Sequence, residues 1–153
     1  MTAPNSPVTL PLQANVLIVE DHVQTRHVVR TVLKHIGVRN ITEAQDGLAA
    51  LKLLQERNLP RHGTDAAPSN PFDIVICDWV MPEMTGVELL REVRKNVFLS
   101  KVPFCMLTGE NERSAIMEAI DHGAEDYILK PFSTKTLEEK LRKILASVTP
   151  KPR

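Results

Sequence analysis

The sequence has no excess of charge of either sign, since 19 lysines and arginines face 19 aspartates and glutamates. Nucleic acids and anionic membranes attract proteins through surplus basic residues, so binding to either is not expected. The chain also lacks an apolar run of the ~18 residues that a membrane-spanning helix needs. Residues 1–15 have neither the basic start nor the apolar core of a signal peptide. These absences predict a cytoplasmic protein that does not contact nucleic acid or membrane.

Cysteine is scarce as well. The two cysteines, Cys77 and Cys105, both lie within apolar stretches. Such positions are typical of small buried side chains in a reducing compartment, and suit a disulfide framework or a metal site less well. There is no internal repeat or low-complexity tract. With 153 residues, 42% of them apolar, the chain has the size of one compact domain.

What the sequence does contain is an alternation of strand and helix patterns. Short apolar stretches predict five strands, at residues 16–20, 40–44, 72–78, 102–108 and 125–130. Helical spacing predicts five helices: one that ends at Gly37, and others at 46–58, 85–95, 111–122 and 133–147. Asp46 is the expected N-cap of the second helix. Parallel strands need crossover connections, so this order predicts an α/β fold, a doubly wound parallel sheet with five helices on its two faces.

Three segments fall outside this alternation. Residues 1–14 contain three prolines and predict a flexible leader, residues 15–148 the domain, and residues 149–153 a short tail. Residues 60–71, PRHGTDAAPSNP, form a polar connection longer than is usual between a helix and a strand. A tolerated surface insertion and a dedicated binding loop both explain this extended loop.

Polar residues stand at the carboxyl ends of four predicted strands. They are Glu20 and Asp21 after the first strand, Asp78 after the third, Thr108 after the fourth and Lys130 after the fifth. Open parallel sheets bind ligands beside these ends. A single acid there is often a helix cap, and capping explains Asp21 equally well when it is taken alone. Five polar residues at four strand ends together favour a binding site.

The chemistry of this set indicates a phosphoryl-accepting site. Clustered carboxylates raise one another's pKa unless a cation joins them. Oxygen ligands without histidine or cysteine select a hard ion such as Mg²⁺. A lysine can neutralise phosphoryl oxygens, and a threonine hydroxyl can donate a hydrogen bond to them. The set therefore predicts that an aspartate accepts a phosphoryl group and forms an acyl phosphate.

These residues lie in motifs that resemble the receiver domain of two-component response regulators. The matching stretches are VLIVED, DIVICDWVMPEMTG, FCMLTGE and DYILKPF, in this order between Val16 and Phe132. The resemblance implies a flavodoxin-like fold with strand order 2-1-3-4-5, which chemotaxis receivers also have. It further implies a stand-alone member, similar to a chemotaxis receiver.

The resemblance also implies roles for the strand-end residues. Asp78 would be the phosphoacceptor. Asp21, Asp78 and the backbone carbonyl of Val80 would bind Mg²⁺ directly, and Glu20 would act through metal-bound water. Lys130 would contact the phosphoryl oxygens, and its peptide bond to Pro131 would be cis.

Five positions match other functional positions of the family. Thr108 and Tyr127 correspond to the switch hydroxyl and the switch aromatic, which move when the domain is phosphorylated. Val80 and Glu110 flank the path of the attacking water, so they would tune dephosphorylation. Arg26 matches a position where the family often has arginine, although a solvated helix charge explains it equally well.

As a function, the resemblance implies a phosphorylation-activated switch. A sensor histidine kinase or a histidine phosphotransfer protein would supply the phosphoryl group. The phosphorylated domain would bind an unknown downstream protein, or dimerise, through the fourth helix, the fifth strand and the fifth helix. It would catalyse its own phosphotransfer and slow autodephosphorylation without turning over a substrate.

Two alternatives stay open at this point. A pseudo-receiver would bind partners independently of phosphorylation, but such a module usually lacks the acceptor, an acid or the lysine, all of which are present here. A phosphatase of the haloacid dehalogenase type also uses a strand-end aspartate and Mg²⁺. It would place a second acid two residues after the nucleophile, where this chain has Val80.

Overall fold

A single parallel sheet organises the chain. The computed structural model describes residues 13–60, 68, 70–109, 117–118, 120–121 and 123–147. The strands are β1 (Asn15–Val19), β2 (Asn40–Ala44), β3 (Ile74–Asp78), β4 (Phe104–Gly109) and β5 (Asp126–Lys130). They are ordered β2-β1-β3-β4-β5, and every neighbouring pair is parallel. The predicted strand order is confirmed.

Four helices are defined within the described residues. They are α1 (Val23–Ile36), α2 (Gly47–Asn58), α3 (Gly86–Lys95) and the C-terminal helix (Thr134–Ser147). The fourth predicted helix, at 111–122, falls largely outside the described residues, although positions 117–118 and 120–121 are helical. None of the helices described is long and apolar enough to cross a membrane.

Local sequence signals set the helix ends. Gly37 closes α1 with a left-handed φ of 112°, a conformation that glycine adopts without a steric penalty. Asp46 caps α2 as predicted, because its side chain accepts a 2.8 Å hydrogen bond from the Ala49 backbone N–H. Thr85 and Glu88 form a reciprocal capping box at the start of α3. This cap fixes where the loop after β3 ends.

The central strands β1, β3 and β4 are buried on both faces of the sheet, and their alternate residues point to opposite sides. On one side, Ile18 and Ile76 pack in a cluster that includes Leu33 of α1 and Leu141 of the C-terminal helix. The cluster on the other side contains residues of the same strands and of α2 and α3. The two clusters leave the carboxyl ends of the strands as the edge at which polar groups gather.

The exit of the extended loop is held at the opposite end of the sheet. The side chain of Asn58 donates to the Phe72 carbonyl and accepts from the Phe72 N–H, at 3.0 and 2.8 Å. These bonds occupy the backbone of Phe72, so β3 begins at Ile74, two residues after the predicted start. Most of the loop lies outside the described residues. Ala14, one residue before the predicted domain boundary, is buried.

Candidate functional site

The predicted polar strand ends come together at one edge of the sheet. Asp78 is the last residue of β3 and pairs in register with Leu107 of β4, while Gly109 pairs with Lys130 of β5. Glu20 follows β1, the neighbour of β3 on the other side. A cleft of about 260 Å³ opens at this edge. It is lined by Asp21, His22, Asp78, Val80, Met81, Pro82, Gly109 and Lys130.

Lys130 joins two buried carboxylates in this cleft. Its Nζ donates hydrogen bonds to Oε1 of Glu20 at 2.9 Å and to Oδ1 of Asp78 at 3.0 Å. Glu20 has no exposed surface and Asp78 is 5% exposed. The two acids come from different strands and share one cation, so the lysine fixes their relative position.

Burial and neighbouring charge shift the protonation of the pair. Burial first, and the adjacent Asp78 second, raise the pKa of Glu20 to about 8 against the opposing effect of Lys130. For Lys130, burial alone lowers the pKa, but its hydrogen bonds to Glu20 and Asp78 outweigh burial and raise it. Lys130 is therefore charged at neutral pH, and Glu20 keeps its proton there unless a cation displaces it.

The donor set fits a hard divalent cation. Glu20, Asp21, His22 and Asp78 each offer a ligand atom, and these atoms lie within 4.8 Å of one another. Within the described part of the chain, Oε2 of Glu20 and Oδ1 of Asp21 are buried without a hydrogen-bond partner. Unsatisfied buried acceptors are costly. A cation such as Mg²⁺, which prefers oxygen ligands, would satisfy them.

Thr108 presents a second unsatisfied group. The residue has no exposed surface, and its Oγ1 lacks a hydrogen-bond partner among the described residues. Two strand positions earlier, Met106 pairs in register with Tyr127 of β5. The Tyr127 side chain is half-buried, with Nζ of Lys140 located 5.3 Å from its ring centroid. The two residues expected to act as a switch thus lie on adjacent strands.

The loop after β3 is held tightly against Asp78. The Gly86 N–H donates to the Trp79 carbonyl at 2.8 Å, and the Trp79 N–H donates to the Leu107 carbonyl at 2.9 Å. A Cβ atom at Gly86 would collide with the carbonyl oxygen of Asp78. Glycine is therefore required there for close approach of the loop to the end of β3.

Other predicted site residues are placed as follows. Val80 is 58% exposed and lines the cleft. The peptide bond between Lys130 and Pro131 is cis, the isomer that the resemblance implies. Glu110 lies outside the described residues.

Arg26 has a role that sequence reasoning left undecided. Its guanidinium donates a 2.7 Å hydrogen bond to the backbone carbonyl of Glu20 and lies 3.5 Å from Oε1 of Glu43. Its side chain is 18% exposed, so it is not a solvated helix charge. Spacing on α1 predicts that Arg26 is near the strand end, but not which atom it contacts.

The fold and site define a doubly wound α/β protein with an acidic centre that is bridged by a lysine and whose ligand atoms fit a cation. Residues 16–142 match the response regulator receiver domain. The chain is 38% identical to the chemotaxis protein CheY of Pseudomonas aeruginosa over 87% of its length and 97% of that protein. It is 40% identical to the chemotaxis protein CheY-3 of Vibrio cholerae over 84% of its length and 89% of that protein.

A solved structure gives the same result. The chemotaxis response regulator CheY4 of Vibrio cholerae superposes with a TM-score of 0.72 at 32% identity, covering 87% of this chain and 99% of that one. The chain belongs to the response regulator receiver domain family. It is accordingly a phosphorylation-activated receiver of two-component signalling, a signalling module and not a turnover enzyme.

Proposed function

We propose that Asp78 is the phosphoacceptor of this receiver and that phosphohistidine is the donor. The observation that carries the proposal is the bridge from Lys130 to Asp78 and Glu20 within an open cleft. One carboxylate oxygen of Asp78 accepts the hydrogen bond from the lysine, which leaves the other oxygen for attack. An aspartate that served only as a helix cap would need neither the lysine nor the buried acids around it.

The transfer proceeds in line. The free oxygen of Asp78 attacks phosphorus while the phosphorus–nitrogen bond breaks, and the electron pair stays on the histidine nitrogen of the donor. Lys130 stabilises the charge on the phosphoryl oxygens through its ammonium group. Mg²⁺ held by Asp21, Asp78 and the Val80 carbonyl, with Glu20 acting through water, would supply further positive charge there.

The phosphorylated form then switches the partner surface. The unsatisfied hydroxyl of Thr108 donates a hydrogen bond to the phosphoryl group, and Tyr127 turns toward the space that Thr108 leaves. Exposed apolar side chains support a partner surface beyond these residues, because Met117, Ile120 and Leu129 are all solvent-exposed. A downstream protein, or a second copy of the chain, binds there.

Two further steps supply and remove the phosphoryl group. A sensor histidine kinase or histidine phosphotransfer protein supplies the phosphoryl group, and slow autodephosphorylation resets the domain. We place this exchange in the cytoplasm, where a reducing environment suits the free, buried thiols of Cys77 and Cys105.

The test is incubation with acetyl phosphate and Mg²⁺, followed by intact mass and Trp79 fluorescence. We expect one phosphoryl adduct on the wild-type protein and none on Asp78→Asn. An adduct that persists in Asp78→Asn overturns the assignment. Sustained hydrolysis of small phosphate esters would instead support a phosphatase. Partner binding that is unchanged in Asp78→Asn would support a pseudo-receiver.

A further inference from the structure

His22 stands at the mouth of the acidic centre without a structural task. It occupies the N-cap position of α1, but its side chain makes no capping hydrogen bond. The imidazole is 72% exposed, and its Nδ1 lies 3.6 Å from Oδ1 of Asp21. Among the described residues, no hydrogen bond restrains this ring. The side chain is therefore able to turn toward the cleft that it lines.

His22 lies close enough to the carboxylates for its imidazole to join them around one ion. One of its nitrogens and the carboxylate oxygens of Glu20, Asp21 and Asp78 all lie within 4.8 Å of one another. Independent support comes from Glu20, which has no exposed surface and whose Oε2 has no hydrogen-bond partner in the described structure. An oxygen buried in this way indicates that a cation is expected at the centre.

A nitrogen donor changes which cation the centre prefers. Imidazole is a poor ligand for Mg²⁺, which takes oxygen atoms and water, but a good one for Zn²⁺ and other first-row transition ions. Zn²⁺ readily takes a mixed set of carboxylate oxygens and one histidine nitrogen. A centre with three carboxylates and one imidazole therefore binds two classes of ion through overlapping ligands.

We propose that His22 is an additional metal ligand, through which this receiver binds borderline divalent ions, with Zn²⁺ as the probe, in competition with Mg²⁺. The inference rests on the proposed function, since Asp21 and Asp78 serve both ions. Mg²⁺ uses the oxygen ligands alone, whereas Zn²⁺ uses the same oxygens together with the His22 nitrogen. The identity of residue 22 thus sets the ion selectivity of the site.

The experiment compares Zn²⁺ and Mg²⁺ affinities of tag-free protein by titration of Trp79 fluorescence at one pH. His22→Ala is expected to weaken Zn²⁺ binding by about tenfold or more and Mg²⁺ binding by less than about twofold. His35→Ala is the matched control, because His35 is 73% exposed and lies 3.6 Å from Oε1 of Glu138, away from the cleft. We expect the control to change neither affinity.

Histidine side-chain NMR provides the second measurement. Zn²⁺ should shift the imidazole nitrogens of His22 and leave those of His35 unchanged. The inference is overturned if His22→Ala leaves the Zn²⁺ affinity intact, because His22 would then not be a ligand. It is also overturned if the substitution lowers the affinities for both ions equally, because His22 would then only shape the loop of the site.

An Asp21→Asn arm separates this inference from the proposed function. If Asp21→Asn leaves Mg²⁺ affinity unchanged, the proposed magnesium ligands are wrong, whatever His22 does. If Asp21→Asn weakens Mg²⁺ binding while His22→Ala leaves Zn²⁺ binding intact, only the role of His22 fails.

Discussion

The ammonium of Lys130 lies 2.9 Å from Oε1 of Glu20, a carboxylate that has no exposed surface. The same ammonium reaches Asp78 at 3.0 Å. Lysine therefore stands where positive charge is needed both by the resting acids and by an incoming phosphoryl group. A single side chain couples the stability of the site to its proposed chemistry.

Lys130→Met should separate metal binding from phosphorylation. Removing the positive charge favours a nearby cation, so Mg²⁺ affinity should rise severalfold. Phosphorylation of Asp78 by acetyl phosphate should slow by about 100-fold or more, because the phosphoryl oxygens lose a charged donor. Stability without metal should fall by about 1–3 kcal/mol, since two buried carboxylates lose their partner. Fluorescence titration measures the Mg²⁺ affinity, intact mass the phosphorylation rate, and urea denaturation the stability. If Mg²⁺ affinity and phosphorylation rate both fall, Lys130 does not separate the two processes.

Mg²⁺ binding should strengthen as the pH rises toward 8. Glu20 has a pKa of about 8 in the folded protein against an ordinary value of 4.5, so the folded state holds this proton more tightly than the unfolded chain. The stability that this proton adds to the folded state is fully present below pH 4.5 and is lost as the pH rises through 8. Mg²⁺ replaces the proton, so its stabilising effect grows over the same range.

Thermal denaturation with Mg²⁺ or with a chelator, at several pH values, measures this competition. Glu20→Gln is the control, because an amide cannot titrate. The stabilisation of this variant by Mg²⁺ should therefore depend less on pH than that of the wild-type protein. An equal pH dependence in both proteins would show that another group is responsible.

Arg26→Ala should weaken Mg²⁺ binding by about three- to tenfold. The Arg26 guanidinium donates a 2.7 Å hydrogen bond to the Glu20 carbonyl, and Glu43 balances the charge of the guanidinium. The main effect of the substitution is therefore that the end of β1 is no longer held in position. Arg30→Ala is the matched control, since Arg30 also pairs with Glu43, at 3.3 Å, from the same helix. Titration of Trp79 fluorescence should show little change for the control. Similar losses in both variants would indicate a general charge effect.

The sequence predicts that the polar strand ends lie close together, because the topology does most of the positioning. In a parallel sheet every strand ends at the same edge, so Asp78, Thr108 and Lys130 must be neighbours once their strands are recognised. The strand order itself depends on the resemblance, since alternation of strands and helices is compatible with more than one order. The structure supports both steps.

Side-chain direction could not be predicted in the same way. The spacing of α1 places Arg26 near β1 but does not show that it binds the Glu20 carbonyl. Similarly, the apolar pattern extends the third strand to Phe72, whereas hydrogen bonds with the side chain of Asn58, at the end of α2, occupy that backbone. Both outcomes depend on tertiary contacts that periodicity does not contain.

Val80→Asn should accelerate loss of the phosphoryl group by about three- to tenfold. Val80 lines the cleft and is solvent-exposed, and its methyl groups cannot orient a water molecule. An asparagine amide can donate to or accept from that water. Val97→Asn is the control, because Val97 is exposed in the connection between α3 and β4 and does not line the cleft. Decay followed by intact mass should match the wild-type rate in the control, and a matching rate in Val80→Asn would remove Val80 from the mechanism.

Thr108→Val should leave the resting protein intact and disable the switch. Valine has the shape of threonine, and the hydroxyl that it removes is buried without a partner in the described structure. Stability should therefore stay constant or rise by up to about 1 kcal/mol. Asp78 should still accept a phosphoryl group, but Tyr127 should no longer respond, because the hydrogen bond that draws residue 108 is missing.

Thr108→Ser should show the opposite pattern, with lower stability from the lost methyl group and a preserved response. Urea denaturation and the NMR signals of the Tyr127 ring distinguish the two variants, and a normal Tyr127 response in Thr108→Val would exclude the hydroxyl as the trigger.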